Sequence, residues 1–304
     1  MQSKLVKSPL NYIGGKYKLL KQILPLFPDN IDTMVDLFCG GCNVGVNVNA
    51  NRIIAIDKLD VLINLMKIFK ELNTHDIINK IEDNIRKFNL SNTLEYGYEY
   101  YNANSAYGLA KVNKSNFLKL RNYINHMTNK ESAEYNISLY TLIIFSFNNQ
   151  IRFNSKGEFN IPVGKRDFNR NIRNNLVSFI ERLHSIDITF VCEDFINYDF
   201  SSLGKNDFVY ADPPYLITCA TYNEQNSWTK TDEINLLNLL DSLNSKGIRF
   251  ALSNVLESKG KSNDILKEWS KKYNVHYLNY SYNNSNYQIK DKSNKSIEVL
   301  ITNY

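Results

Sequence analysis

Apolar residues along the chain gather in short runs separated by polar, helix-compatible stretches. Residues 33–38 form one such run and lead into Cys39-Gly-Gly-Cys-Asn-Val-Gly45; residues 207–211 form another and lead into Asp212-Pro213-Pro214-Tyr215. Each pair reads as a strand, a tight loop and then a helix. Further apolar runs at 52–56, 188–192, 248–252 and 299–302 predict buried strands, and residues 231–244 and 262–272 carry helical spacing. Strands alternating with helices predict a mainly parallel α/β sheet.

From about residue 60 to 147 the pattern changes to helix-compatible, Asn- and Tyr-rich sequence with few strand-like runs, which reads as an insertion. Its stretch Tyr96 to Tyr107 is read as core-packing aromatics in preference to a base-stacking surface, because aromatics pack far more often than they bind. Beyond it, two polar and aromatic arms at 148–162 flank Ser155-Lys156-Gly157, which is a hairpin signal. There is no internal repeat, and the Lys/Asn/Tyr bias reflects genome composition rather than function.

The chain has 304 residues, enough for one large domain or a core with an inserted module, and its 43% hydrophobic and 22% charged residues are ordinary for a globular protein. No apolar run approaches the roughly 18 residues of a membrane span. The start Met-Gln-Ser-Lys-Leu-Val-Lys-Ser-Pro-Leu lacks the apolar core of a secretory signal, and Cys39, Cys42, Cys192 and Cys219 are too few and too badly spaced for a disulfide framework. A reducing cytoplasm, with no membrane partner, is the expected setting. A net charge of +5 is only mildly basic. It is also local: residues 150–175 hold Arg152, Lys156, Lys165, Arg166, Arg170 and Arg173 against Glu158 and Asp167, whereas 176–245 is strongly acidic.

Three constellations could carry chemistry. The glycines of the 36–45 loop let a ligand approach the backbone, and Asp57, closing the next strand, has the spacing that an adenosine-containing ligand needs for its ribose hydroxyls. The bland alternative is a tight packing turn followed by a capping aspartate. Cys39 and Cys42 form C-x-x-C at a predicted helix start, a redox setting, but nothing supplies the second ligand pair of a zinc site, so no metal is expected. Asp212-Pro213-Pro214-Tyr215 is the sharpest signal. Two prolines cannot continue a strand or donate to its ladder, so the chain breaks rigidly at the C-terminal sheet edge, where α/β ligand sites lie. A carboxylate, a proline carbonyl and an aromatic face presented together match a planar base with an exocyclic amine.

With these residues in place, the chain resembles the Dam-type (class D12, α-group) DNA adenine-N6 methyltransferases over most of its length outside about 60–140. Pro9-Leu-Asn-Tyr-Ile-Gly-Gly-Lys-Tyr17 resembles their N-terminal cofactor motif, residues 35–45 their glycine loop, Phe190-Val-Cys-Glu-Asp-Phe195 the strand end beside the cofactor adenine, and residues 209–215 the catalytic motif. Residues 151–162 are similar to their DNA-reading hairpin and Glu298-Val-Leu-Ile-Thr-Asn-Tyr304 to their last strand. The resemblance implies a Rossmann-like α/β sheet that binds S-adenosyl-L-methionine, formed from residues 1–60 and 173–304. It also implies a mainly helical target-recognition domain over 61–172, with a β-hairpin at 148–166.

By that resemblance Tyr12, Gly14, Gly15 and Lys16 contact the cofactor, Lys16 near its carboxylate. Asp36, Phe38 and Gly40 line the pocket, Asp57 holds the ribose, and Asp194 with Phe195 brackets the adenine. Asp212, Pro213, Pro214 and Tyr215 are the implied catalytic residues. The implied DNA contacts are Asn11, Phe147, Asn148, Gln150, Arg152, Asn154, Lys156 and Pro162. Arg152 is suited to guanine, Gln150 and Asn154 to adenine-type edges, Lys156 to phosphate, and Phe147 and Asn148 to the gap left by a flipped base. Asn11 stands where GATC-reading members can carry a base-contacting Lys, and Gln150 where some carry an apolar residue. A GAT-containing site, with GATC leading, is the expected target. The expected partners are double-stranded DNA and a cognate restriction endonuclease acting separately, with the enzyme a monomer or weak dimer. The rivals are a cytosine-N4 methyltransferase, which commonly has Ser where Asp212 stands, a non-catalytic DNA-binding module, and a C-x-x-C redox protein.

Overall fold

The apolar runs become the strands of one sheet in a computed structural model that describes residues 5–12, 14–104, 106–218, 228–279 and 296–304. In chain order the elements are α1 (Leu20–Ile23), β1 (Ile31–Leu37), β2 (Ala50–Asp57), α2 (Asp60–Glu71), α3 (Thr74–Lys87), α4 (Thr93–Tyr96), α5 (Ala110–Asn125), α6 (Ala133–Phe145), α7 (Arg170–Ser185), β3 (Ile188–Cys192), β4 (Phe208–Ala211), α8 (Lys230–Ser245), β5 (Arg249–Ser258), β6 (Lys261–Ser262), α9 (Asp264–Ser270), β7 (Asn274–Leu278) and β8 (Ile297–Thr302), with 3-10 turns between some of them. The strand order is β3-β2-β1-β4-β5-β8-β7, with β6 paired to β5. Among the described residues no helix is long and apolar enough to cross a membrane.

The chain divides into two compact units. One comprises the described residues within 1–15, 40–47 and 59–190, the other those within 16–39, 48–58 and 191–304. In the second unit β1 pairs in parallel with β2 and β4, and β4 with β5. Met34, Val35, Leu37 and all of β4 are buried. Parallel strands covered on both faces lose the in-out alternation, which is why these segments read as continuous apolar runs. Beyond β5 the sheet turns antiparallel, with β8 inserted between β5 and β7. The parallel expectation therefore holds for half of the sheet only. The strand at 274–278 escaped the sequence reading because its residues are mostly exposed or half-buried.

In the first unit α6 is buried along nearly its whole length and contacts α2, α3 and α5. A helix that is apolar on every side must be wrapped by others. Side-chain caps fix the starts of α3, α6 and α7 through Asn73, Ser132 and Asn169, and in the second unit Thr229 and Asp232 close a reciprocal capping box at α8. Fully buried Asp167 accepts hydrogen bonds from Thr93 N, Thr93 Oγ1 and Ser91 Oγ, which ties residues 91–93 to the segment before α7.

Three further expectations change. The glycine loop after β1 leads into no helix, only a 3-10 turn at Gly45–Asn47, before β2 begins. Cys39 and Cys42 are buried in the loop and not at the start of an α-helix, and Cys219 lies outside the described residues. Tyr96, Tyr98, Tyr100 and Tyr107 are exposed, Tyr107 at 79%, so this stretch is not core. Tyr96 and Tyr100 stack on each other at 4.8 Å instead. The hairpin at 148–162 pairs through a single bridge, Phe153 with Phe159. Asn148 and Asn149 both adopt left-handed backbone angles, which turns the first arm out of register for a ladder.

Candidate active site

The catalytic-type tetrapeptide sits where the sheet lets go of the chain. Asp212 N still donates to Leu37 O, continuing the β1–β4 ladder by one bond, and the two prolines that follow have no N–H with which to extend it. Asp212 keeps 18% of its side chain open, and Tyr215 is half-buried. Lys16, in the 3-10 turn Lys16–Leu19, is 5% exposed and places its ammonium 2.8 Å from Asp212 Oδ1. The same ammonium lies 3.7 Å from Glu298 Oε1 and 4.9 Å from the Tyr215 ring centre. The Tyr215 hydroxyl reaches Asp212 Oδ1 at 3.2 Å and Glu298 Oε1 at 3.3 Å.

Burial pushes the Asp212 carboxyl above its ordinary value, and Lys16 and the Tyr215 hydroxyl pull the other way. Beside it on β4, buried Tyr210 bonds Ser253 Oγ at 2.8 Å. Its hydroxyl is pushed well up by burial, and the charges of Asp212, Asp36 and Glu298 push it further. Three carboxylates thus share one neighbourhood at the strand ends. Such a field disfavours a further anion and favours positive charge.

A second cluster in the same unit is aromatic. Phe38 follows β1 with a φ of +65°, rare for a bulky residue. Its ring lies 5.2 Å from Phe195 and 5.5 Å from Trp228, and Phe195 lies 5.7 Å from Trp228. Trp228 Nε1 donates to buried Glu233, which also accepts from Asn254 and Asn263. Asp57 ends β2 and its carbonyl accepts Glu193 N; Asp194 Oδ1 accepts Ile196 N and shapes the turn that carries Phe195. Asp36 is 1% exposed, two residues before Phe38.

In the first unit the Tyr12 ring lies against Gly40, whose φ is +50°. A Cβ there would meet Tyr12 Cδ1 at 2.9 Å, so glycine is required twice over. Gly15 N donates to Tyr12 O across a turn in which Gly14 takes a φ of +81°. Asn43 and Asn47 pin the preceding chain through Ser8 N and Val6 N.

Residues 147–164 form an arm in the same unit. Phe147 is exposed, and its N–H donates to Pro162 O across the base of the arm. Gly164 packs so closely there that a Cβ would sit 2.3 Å from Ser146 O. Asn11 Nδ2 donates to Asn148 O at 2.8 Å. Asn149 Nδ2 donates to Ile144 O, and Gln150 O accepts from Ser146 Oγ. Arg152 is exposed and bonds Asn160 Oδ1 at 2.8 Å; Lys156 is exposed at the tip. Asn154 spends its side chain on the turn, accepting from Lys156 N and Glu158 N and donating to Glu158 Oε2.

Thus Lys16, Asp212 and Tyr215 come together, as do Phe38 and Phe195; Asn11 meets Asn148. Glu298, Trp228 and Glu233 were not read as site residues. For Glu298 the signal was available: it is the one acid in the apolar run Ile297-Glu-Val-Leu-Ile301. Among the described residues no cluster of three or more His, Cys, Asp or Glu could hold a metal ion.

Several proteins are similar to this chain over most of its length. The chain is 48% identical to the type II methyltransferase M.FokI of Planomicrobium okeanokoites over 98% of this chain and 43% of that protein. It is 45% identical to the modification methylase StsI of Streptococcus sanguinis over 99% of this chain and 43% of that protein. A DNA adenine methylase of Haemophilus influenzae is 31% identical over 71% of this chain and 66% of that protein. The chain therefore spans less than half the length of M.FokI and StsI. The sequence profile of one family, the D12 class N6 adenine-specific DNA methyltransferases, matches residues 12–290. With that match, and with the Asp-Pro-Pro-Tyr loop at the end of β4, the chain belongs to the D12 class N6 adenine-specific DNA methyltransferases.

Proposed function

We propose that the protein transfers a methyl group from S-adenosyl-L-methionine to N6 of an adenine flipped out of double-stranded DNA. The observation that carries this reading is Asp212, a carboxylate held at the end of β4 beside Lys16 and Tyr215 and followed by two ladder-breaking prolines.

The residues present fit the cofactor. Phe38 and Phe195, steadied by Trp228, offer apolar faces for its adenine, and Asp194 beside them accepts an amine proton. Asp57 accepts from the ribose hydroxyls. Asp36 and Lys16 carry the charges that an amino-acid end requires. A bound cofactor would supply an activated methyl group on a sulfonium, with a neutral thioether as the leaving group.

Asp212 and the Pro213 carbonyl accept the two N6 hydrogens and so favour the positive charge that grows on nitrogen. Tyr215 stacks on the base, and Pro214 keeps the loop rigid. Holding donor and acceptor in line supplies much of the remaining advantage, and the methylated amine then sheds its proton, so no strong base is required.

In this reading residues 61–172 recognise DNA and residues 1–60 with 173–304 carry the chemistry. Phe147 and Asn148 fill the gap that the adenine leaves, Gln150, Arg152 and Asn154 face base edges, and Lys156 faces phosphate. Asn11 and Pro162 hold the backbone of the arm at Asn148 and Phe147. Asn154 exchanges its turn bonds for a base edge on binding. The site contains GAT, with GATC the first candidate. M.FokI and StsI are named as type II and modification methylases, which supports a partner nuclease acting separately on the same site. The protein works in the cytoplasm, as a monomer or weak dimer.

Single-molecule sequencing of DNA from cells that express the folded protein tests this reading. N6-methyladenine at one short motif is the expected result, and unmodified DNA overturns it. In the same assay Arg152→Ala should relax preference at one base pair, by about 1–3 kcal/mol, whereas Lys156→Ala should weaken all sites alike.

A further inference from the structure

The proposed mechanism asks Asp212 to accept a hydrogen bond from adenine, yet its Oδ1 is already the target of two donors, Lys16 Nζ at 2.8 Å and Tyr215 Oη at 3.2 Å. Both donors have the same second acceptor within reach. Glu298 Oε1 lies 3.7 Å from Lys16 Nζ and 3.3 Å from Tyr215 Oη. Glu298 is 4% exposed, and β8 holds it rigidly: its register partners are Val255 on β5 and Leu278 on β7. A carboxylate buried so deeply needs cationic and hydrogen-bonding partners, and this one shares them with Asp212.

We propose that Glu298 is the positioning residue of the methyl-transfer site, the carboxylate that takes over Lys16 and the Tyr215 hydroxyl when adenine arrives at Asp212. The inference rests on the methyltransferase reading above. Before adenine enters, one ammonium and one hydroxyl proton are shared between two carboxylates. When N6 approaches, the ammonium moves the short distance to Glu298 and leaves Asp212 Oδ1 open. No proton changes owner and no bond other than hydrogen bonds is made or broken. Without the charge at 298, the pull that draws Lys16 away from Asp212 Oδ1 is lost, and the ammonium keeps to the oxygen that the substrate needs.

The test is a double-mutant cycle on purified protein, read as transfer of tritiated methyl to target DNA. Glu298→Gln keeps the shape and removes the charge. It should lower kcat by roughly tenfold or more while KM for DNA changes by less than about threefold, because the block acts after DNA binds. In a Lys16→Gln background, slow in its own right, the same Glu298→Gln change should cost less than about threefold, since no ammonium is left to hand over. An equal loss in both backgrounds marks Glu298 as purely structural and overturns the proposal. A second measurement needs no variant. A crystal structure of the wild-type protein with target DNA and S-adenosylhomocysteine should show Lys16 Nζ at hydrogen-bond distance, about 3 Å, from Glu298 and withdrawn from Asp212. Lys16 still bonded to Asp212 with adenine seated there overturns it as well. Wild-type protein that methylates no DNA defeats the functional reading itself, an outcome distinct from either of these.

Discussion

Asp212→Asn should lower the rate of methyl transfer by at least roughly 10²–10³-fold while leaving the affinity for DNA nearly unchanged. Asparagine fills the same space, but it replaces the charge that steadies a growing positive nitrogen with a neutral amide. It also breaks the 2.8 Å pair with Lys16 and leaves that buried ammonium to Glu298. Tritiated methyl incorporation measures the first effect and a gel-shift titration the second; a variant with wild-type turnover would remove Asp212 from the reaction. The pH dependence follows from the same environment. Burial raises the Asp212 carboxyl above its ordinary value of 3.8. The ionised form is the one that accepts the N6 hydrogen. The acid side of the rate profile should therefore fall off at a higher pH than an exposed aspartate would give, and Asp212→Asn should flatten it. For stability the sign is set by the raised value. The contribution of Asp212 is fully present below the unfolded pKa and is lost as pH rises through the folded one.

The largest loss of stability is expected from Glu233→Ala. Its carboxylate, 1% exposed, gathers Trp228 Nε1 at 2.6 Å, Asn263 Nδ2 at 2.8 Å and Asn254 Nδ2 at 3.3 Å. Those groups join the residue before the α8 cap, the middle of β5 and the start of α9. Truncation leaves three buried donors without their acceptor, and breaking a buried charged hub of this kind costs about 3–5 kcal/mol. Chemical denaturation should give this loss with an unchanged slope, whereas a change within 1 kcal/mol would show that water replaces the carboxylate. Trp228 backs Phe38 and Phe195, so the variant should also bind the cofactor more weakly.

Much of this was legible in the order of residues. Runs buried on both faces announced β1, β4, β5 and β8, and the Pro213-Pro214 break located the end of β4 because a missing N–H is a local property. Other features depend on partners distant in sequence. Nothing local tells that Lys16 turns to Asp212, or that Glu298 arrives from another strand. The tyrosines at 96–107 look like core by type, yet Tyr96, Tyr98, Tyr100 and Tyr107 are exposed and Tyr96 stacks on Tyr100 instead. The helix expected after the glycine loop fails because Asn43 and Asn47 spend their side chains on Ser8 and Val6, which holds those residues in a tight turn.

The place of β8 bears on how the protein is made. This strand lies between β5 and β7, and it brings Glu298 to a site whose other members, Lys16, Asp212 and Tyr215, are synthesised earlier. A nascent chain that has not reached residue 297 carries β5 and β7 as unpaired edges facing an empty slot. Such edges pair with other chains, so slow or interrupted synthesis should give aggregates rather than a partly active enzyme. Pairing β8 with β5 across the intervening α9 and β7 is also a high contact-order event, and the carboxylate pair should assemble only in a late phase of folding.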